Sequence, residues 1–279
     1  MSPVQRAVGV AVATRGLWEC AACRYQVSLT AGTVLHKTHT ALHLWFWAAY
    51  LVTTGTPGIS ARQLQRQLGL TRYETAWTML HKVRRTMVNP ERTLLTGEVE
   101  VDECEVGGRE IGRRGGGNLT AKATQVVVAL EVRGQGSRRV RMKIIPNASG
   151  DTLSAFVKDT VTPGAIVHTD GWMGYAPLTK NGYDHRPRSQ RAAKKTGDSD
   201  PVLPRVHRAI SNFKSWLRGT HRSVSNDHLQ VYFDEFTFRY NRRGTPMAAF
   251  QSLLGLGTQQ ALTTYRQIVT LDPDPDPIT

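Results

Sequence analysis

The chain has 279 residues, 40% of them hydrophobic, enough for one large domain or two modest ones with a proper core. Its 36 Lys and Arg against 22 Asp and Glu leave a formal charge of +14. A balance of that sign favours polyanionic partners, because each Lys or Arg beside a phosphate releases a condensed counterion. No apolar run reaches the roughly 18 residues of a membrane span. Three cysteines cannot form a paired disulfide framework, so a reducing cytoplasm is the expected setting.

The first apolar stretch is interrupted by Gly9 and is too short for the core of a signal peptide. After it, "WECAACRYQVS" carries Cys20 and Cys23 in a C-x-x-C spacing. One such pair supplies two of the four ligands of a structural zinc site, and His36 and His39 are the residues that could complete the set.

From Ala41 the texture is helical. Leu42, Trp45, Phe46, Ala49 and Val52 recur every three or four residues, as one helix face requires. Gly55, Pro57 and Gly58 break that helix. "SARQLQRQLGL" then opens with a capping box, Ser60 and Gln63, and "TRYETAW" repeats the device with Thr71 and Glu74. Two short capped helices around a glycine turn make a helix-turn-helix candidate. Its second helix would offer Arg72, Tyr73 and Thr75 to base edges or phosphates; an ordinary helical hairpin reads the same way.

From Gly97 the period shortens. "EVEVDECEV", "TQVVVALEV" and "RRVRMKIIP" predict a three-stranded antiparallel meander. "SGDTLSAFVKDTV" reads as a capped helix, and "GAIVHTDG" as a short buried strand ending in an acid. Residues 184–204, rich in Pro, Arg, Lys, Ser and Asp, are expected to form a mobile loop. Helices return over 204–217 and 228–241, and "LDPDPDPIT" should be disordered.

Asp102 sits mid-strand in an apolar frame, and Asp170 sits where a strand ends, a position that faces a cleft. Two carboxylates held on adjacent strands repel each other unless a divalent cation bridges them. On a strongly basic chain that pair points to metal-assisted phosphoryl transfer; the plainer reading makes each a turn or cap residue, which suits Asp170 better than Asp102. His207 and Lys214, seven apart, share a helix face, either beside the site or as part of a solvated basic helix. Alternation puts Glu100 on the face of Asp102 and Glu103 on the other, where an Arg is its expected partner. Cys104 reads as a packing residue. Ten Lys or Arg between Arg186 and Arg222, against Asp198 and Asp200, suit a surface that follows a phosphate backbone.

The succession "VEVDECEVGG", "VHTDGWMGY", "HRAISNFKSWLRGTH" and "HLQVYFDEFTFRYNRR" resembles the ISXO-like insertion-sequence transposases of bacteria, over roughly 18–254. The resemblance implies an α/β fold: a ribonuclease-H-like core with a mixed sheet flanked by helices, after a helix-turn-helix-like region and a partial zinc-ribbon remnant. The corresponding segments are 1–40 (ribbon-like), 41–92 (helical, DNA-binding), 97–257 (catalytic core) and 258–279 (tail, partly disordered). It implies metal-dependent cleavage and strand transfer of DNA, with Asp102, Asp170 and His207 holding Mg²⁺ or Mn²⁺, two ions in all, and Lys214 on DNA near the reacting phosphate. Glu235 is the rival of His207 for the third place. Arg205, Arg208, Arg218 and Arg222 join Arg72, Tyr73 and Thr75 on the DNA surface. Terminal inverted repeats and target DNA are the implied partners of a homodimer or larger synaptic assembly, in a bacterial cytoplasm and away from membranes. Zinc is left open, because no cysteine precedes Cys20. A metal-dependent nuclease, or a non-catalytic DNA-binding remnant, are the alternatives.

Overall fold

The computed structural model describes residues 9–12, 17–28, 30–89, 91–107, 123–189, 195, 201–222, 224–259 and 263–270. Strands β1 (Gly9–Val12), β2 (Leu17–Cys20) and β3 (Gln26–Ser28) form a small antiparallel sheet in that order. Cys20 and Cys23 flank the β2–β3 turn, which closes through the Arg24 amide donating to the Cys20 carbonyl at 2.9 Å.

Three helices follow: α1 (Leu42–Thr54), α2 (Ala61–Gln67) and α3 (Tyr73–Arg85). The Ser60 hydroxyl accepts the Gln63 amide at 3.2 Å and starts α2 where the capping pattern predicts. The second capping pattern is not used: α3 begins after Arg72, with no side-chain cap. The apolar stripes of the three helices close a core containing Trp45, Val52, Leu64, Ala76 and Leu80. Phe238 of α7 (Leu229–Asn241) and Leu253 of α8 (Pro246–Gln259) complete it. Helix α8 therefore packs on α1, although the sequence division assigned most of it to the catalytic segment. An apolar helix goes where an apolar face is uncovered, whatever its place in the chain.

The main sheet is built on β4 (Glu98–Val106), with β5 (Thr124–Arg133), β6 (Gly136–Ile144), β7 (Ile166–Thr169) and β8 (Asp184–Pro187) in the order β6-β5-β4-β7-β8. The first three strands form the expected antiparallel meander, and β4, β7 and β8 run parallel. Residues 184–187, read from sequence as loop, instead pair in register with Ile166–Thr169. They satisfy backbone groups that β7 would otherwise expose, and Pro187 is tolerated at a sheet edge. One face of the sheet buries Val99 and Val101 against Leu153, Phe156 and Val157 of α4 (Gly150–Thr160). The other packs Val126, Val128 and Leu130 on Val206, Ala209, Ile210 and Phe213 of α6 (Pro204–Trp216), and on Phe233 of α7. A mixed sheet of this order with helices on both faces is the ribonuclease-H-like arrangement. The short helices α5 (Pro177–Lys180) and α9 (Tyr265–Thr270) complete the elements named among the described residues. Residues 271–279 lie outside the described residues.

The helical region is tied to this core by charge. Arg84 of α3 donates to Glu235 of α7 at 2.6 Å, with both side chains buried, and Arg239 approaches the same carboxylate at 3.5 Å. Arg239 also reaches the Gly55 carbonyl and donates to the Thr56 carbonyl at 3.0 Å. Gly58, at φ +74°, lies so close that an added Cβ would stand 2.6 Å from the Arg239 guanidinium and 2.8 Å from the Trp216 indole nitrogen. Only glycine fits there.

Candidate active site

Strand β4 continues beyond its parallel neighbour, and the site lies at that step. Glu98, Val99 and Glu100 pair with Ile166, Val167 and His168. Extending this register by two residues sets Asp102 level with Asp170, just past the end of β7 at Thr169. The carboxyl ends of parallel strands open a crevice of this kind. Asp170 is exposed, and its Oδ1 accepts the Trp172 amide at 2.9 Å across a turn whose Gly171 has φ +86°.

Asp102 points to the opposite side from Val99 and Val101, toward α6. There the His207 Nε2 lies 3.0 Å from its Oδ2, with the imidazole half exposed and the aspartate mostly covered. The bond to Asp102 raises the His207 pKa; burial opposes the shift, while the charges of Asp102, Glu100 and Asp170 reinforce it. Lys214 lies two turns further along the same helix. It lines a cleft of about 550 Å³ with Glu105, Arg218 and Arg222. His207 and Lys214 both lie on α6, the first against Asp102 and the second in that cleft. Glu235, the rival third acid, is enclosed by Arg84 and Arg239 in the helical junction.

Two acids beside Asp102 have distinct duties. Glu100 is 3% exposed. Its Oε2 accepts the backbone amides of Arg205 and Val206 at 2.9 and 2.8 Å, and its Oε1 meets the Arg205 guanidinium at 3.0 Å. It caps the first turn of α6, where the helix dipole favours an anion, and so sets where His207 stands. Arg205, assigned from sequence to the DNA surface, is engaged by Glu100 and by the Gly134 carbonyl. Glu103 faces the other way, as alternation requires, but its partner is the Tyr175 hydroxyl and no arginine. Burial raises the Glu103 pKa; the Tyr175 bond opposes this, and the charges of Asp102 and Asp170 add to it. Burial likewise raises Tyr175, with Glu103 adding, so the hydroxyl stays a donor. Burial pushes the Cys104 thiol up to about 11, which suits a packing residue and not a nucleophile.

Sequence reading placed Glu100 on the face of Asp102 but missed its capping part, and it missed Tyr175 altogether. The alternation on β4 put Glu100 beside Asp102, but no local pattern says that a helix beginning a hundred residues later will point its amides there.

The model of the ISXO2-like transposase domain matches residues 94–241. That is more than half of the chain. The chain belongs to the ISXO2-like transposase family. Among solved structures, the Mos1 transposase paired-end complex with left transposon end is 10% identical, with 76% of this chain and 78% of that chain covered at a TM-score of 0.33. The simian T-cell lymphotropic virus intasome in complex with PP2A regulatory subunit B56 gamma is 12% identical, covering 62% and 67% at a TM-score of 0.32. No curated protein matches.

On this transposase Arg72 and Tyr73 are exposed and Thr75 is partly covered, while α3 from Met79 to Arg84 is buried in the core. Its first turn is therefore the part that can meet a ligand. Arg208, Arg218 and Arg222 are exposed; Arg191 and Lys194 lie outside the described residues. Among the described residues no three His, Cys, Asp or Glu side chains converge in a metal cage. Cys20 and Cys23 accordingly have no third such partner there, and His36 Nδ1 accepts the Gly32 amide. No helix among the described residues is long and apolar enough to cross a membrane.

Two carboxylates remain at the step in the sheet. Asp102 and Asp170 are level and offer hard oxygen ligands, and their joint negative field is felt by Glu103. His207 stands within hydrogen-bond reach of the first of them.

Proposed function

We propose that this transposase cuts DNA and joins the freed 3′-hydroxyl to target DNA at a centre formed by Asp102, Asp170 and His207. The observation that carries the reading is the register of β4 on β7, with His207 of α6 brought to 3.0 Å from the first of the two acids. Asp102 and Asp170 would hold Mg²⁺ or Mn²⁺, with His207 as third ligand or proton carrier. Bound ions supply water activation and charge stabilisation of the leaving oxygen. The rest falls to the chain itself. Glu100 fixes the start of α6 and with it the position of His207; Lys214 and Arg218 hold the phosphates of the strand being cut; Asp102 orients the imidazole so that one nitrogen remains open to a proton. Arg72, Tyr73 and Thr75, with Arg208 and Arg222, extend the DNA surface over the terminal inverted repeats, and two ends held together require at least a dimer. The segments 1–40, 41–92, 97–257 and 258–279 serve as ribbon remnant, DNA-binding region, catalytic core and tail, with α8 shared between the middle two.

The test uses pre-cleaved terminal repeats of the element that carries the gene, a target plasmid, and Mg²⁺ or Mn²⁺. Asp102→Asn and Asp170→Asn should each lower joining by about a thousandfold or more while end binding persists. Imidazole suits Mn²⁺ better than Mg²⁺, so His207→Glu should move the preference toward Mg²⁺. Cleavage without joined product would make the chain a nuclease, and no cleavage with either ion would make it a binding protein only.

A further inference from the structure

A large polar cleft lies outside the catalytic step. It is about 800 Å³ in volume and separates the exposed side of α2 and the first turns of α3 from the Leu217–His221 segment that follows α6. Arg62 and Arg66, four apart on α2, stand on one wall and Arg222 on the other; Tyr73, Trp77 and His228 supply rings between them. The Arg62 guanidinium lies over the Tyr73 ring at 5.0 Å, and the Trp77 ring meets His228 edge-on at 5.3 Å. No Asp or Glu is among the lining residues. Arg222 and Val224 also line the cleft that carries Lys214 and Arg218. A line of cations therefore runs from the cleft of Lys214 and Arg218 into this aromatic-floored one.

Cations on the walls with rings between them are what a single nucleic-acid strand needs: the phosphates pair with the walls while a base lies against a ring. The volume falls within the roughly 300–1,000 Å³ of small-ligand clefts, which admits a nucleotide and not a duplex. We propose that the cleft is a subsite for an unpaired nucleotide of single-stranded DNA, with Arg62, Arg66 and Arg222 on its phosphates and the base against Tyr73. The inference rests on the reading of the chain as a DNA-cutting enzyme, and names where the strand leading away from the cut is held.

Binding of a labelled 20-nucleotide oligo(dT) and of a 20-base-pair duplex, by the full chain over a range of salt concentrations, tests it. Tyr73 is exposed, so Tyr73→Leu should fold as the parent does, with an unchanged melting temperature as the check. It should weaken oligo(dT) about tenfold and a duplex of unrelated sequence, which offers Tyr73 no terminal repeat to meet, less than about twofold. Arg62→Ala with Arg66→Ala should reduce the salt slope for oligo(dT) by about 1.4, two phosphates' worth. Equal losses on oligo(dT) and duplex, or no loss on either, would overturn the proposal. None of these binding outcomes depends on strand joining, so a failure here and a failure of the catalytic reading are separate results.

Discussion

Glu235 and Asp102 are both acids held against a basic partner, and they differ in enclosure. Glu235 is wholly buried between Arg84 and Arg239, and Arg239 is in turn fastened to the Gly55–Thr56 turn. Its charge is answered from inside the protein on two sides. Asp102 is touched by one half-exposed histidine, and Glu103 feels the charges of Asp102 and Asp170 together. An acid neutralised by buried arginines joins elements together. An acid left among other acids at the open end of a strand is available to a cation from solution.

Exchanging the two environments should break that contrast most sharply at Glu235. Glu235→Ala leaves two guanidinium groups buried without their carboxylate and should cost about 3–5 kcal/mol in urea unfolding. Asp102→Asn should leave stability within about 1 kcal/mol while abolishing joining. Equal destabilisation by both changes would show that the contrast in enclosure is irrelevant. A smaller effect is expected at Glu100, which shares the face of Asp102 but serves α6. Glu100→Gln keeps the shape and weakens the charged cap, for a loss of about 1–3 kcal/mol. Joining should fall along with it, because His207 rides on that helix; unchanged joining would detach the cap from the chemistry.

The smallest effect concerns the histidines packed beside the buried ion pair. Burial, with the charge of Arg84 adding, holds His81 down to about 2, and burial holds His221 down to about 3. Unfolded histidine takes up its proton near pH 6.5. In that window the unfolded chain binds protons that the folded chain refuses, so stability is complete above about pH 6.5 and declines as the pH falls below it. The slope is at most about 1.4 kcal/mol per pH unit for each group. Comparing urea unfolding at pH 6.5 and 5.5, His81→Phe should flatten this limb. An unaltered slope would place the acid sensitivity elsewhere.

Much of the fold was legible because periodicity is local. The stripes of α1 and of the β4–β5–β6 meander appear in the sequence as spacing, and Ser60 and Ser149 announce α2 and α4 by hydroxyls that bond three residues ahead. Thr71 announced a start that the chain does not use, since α3 begins after Arg72. Residues 184–187 looked like loop because their pairing partner is another edge and not a pattern within the segment. The site divides in the same way. Asp102 and Asp170 stood out as acids in apolar strands, but the bond from His207, the cap by Glu100 and the hydroxyl of Tyr175 on Glu103 all span dozens of residues. The arginines of α2 had a visible i, i+4 spacing, yet only the placement of the segment after α6 turns that spacing into one wall of a cleft.

By itself, then, the sequence determined which segments alternate and which wind, that the chain is strongly cationic, and that Asp102 resists an ordinary structural explanation while Asp170 admits one. Those properties follow from side-chain chemistry and from the fixed periods of strand and helix. The tertiary structure decided which acid is free and which is neutralised, since partners across 105 or 151 residues meet only after the sheet has chosen its neighbours and the helices have covered its faces. Charge is written in the chain, but whether a charge is satisfied depends on what the fold brings against it.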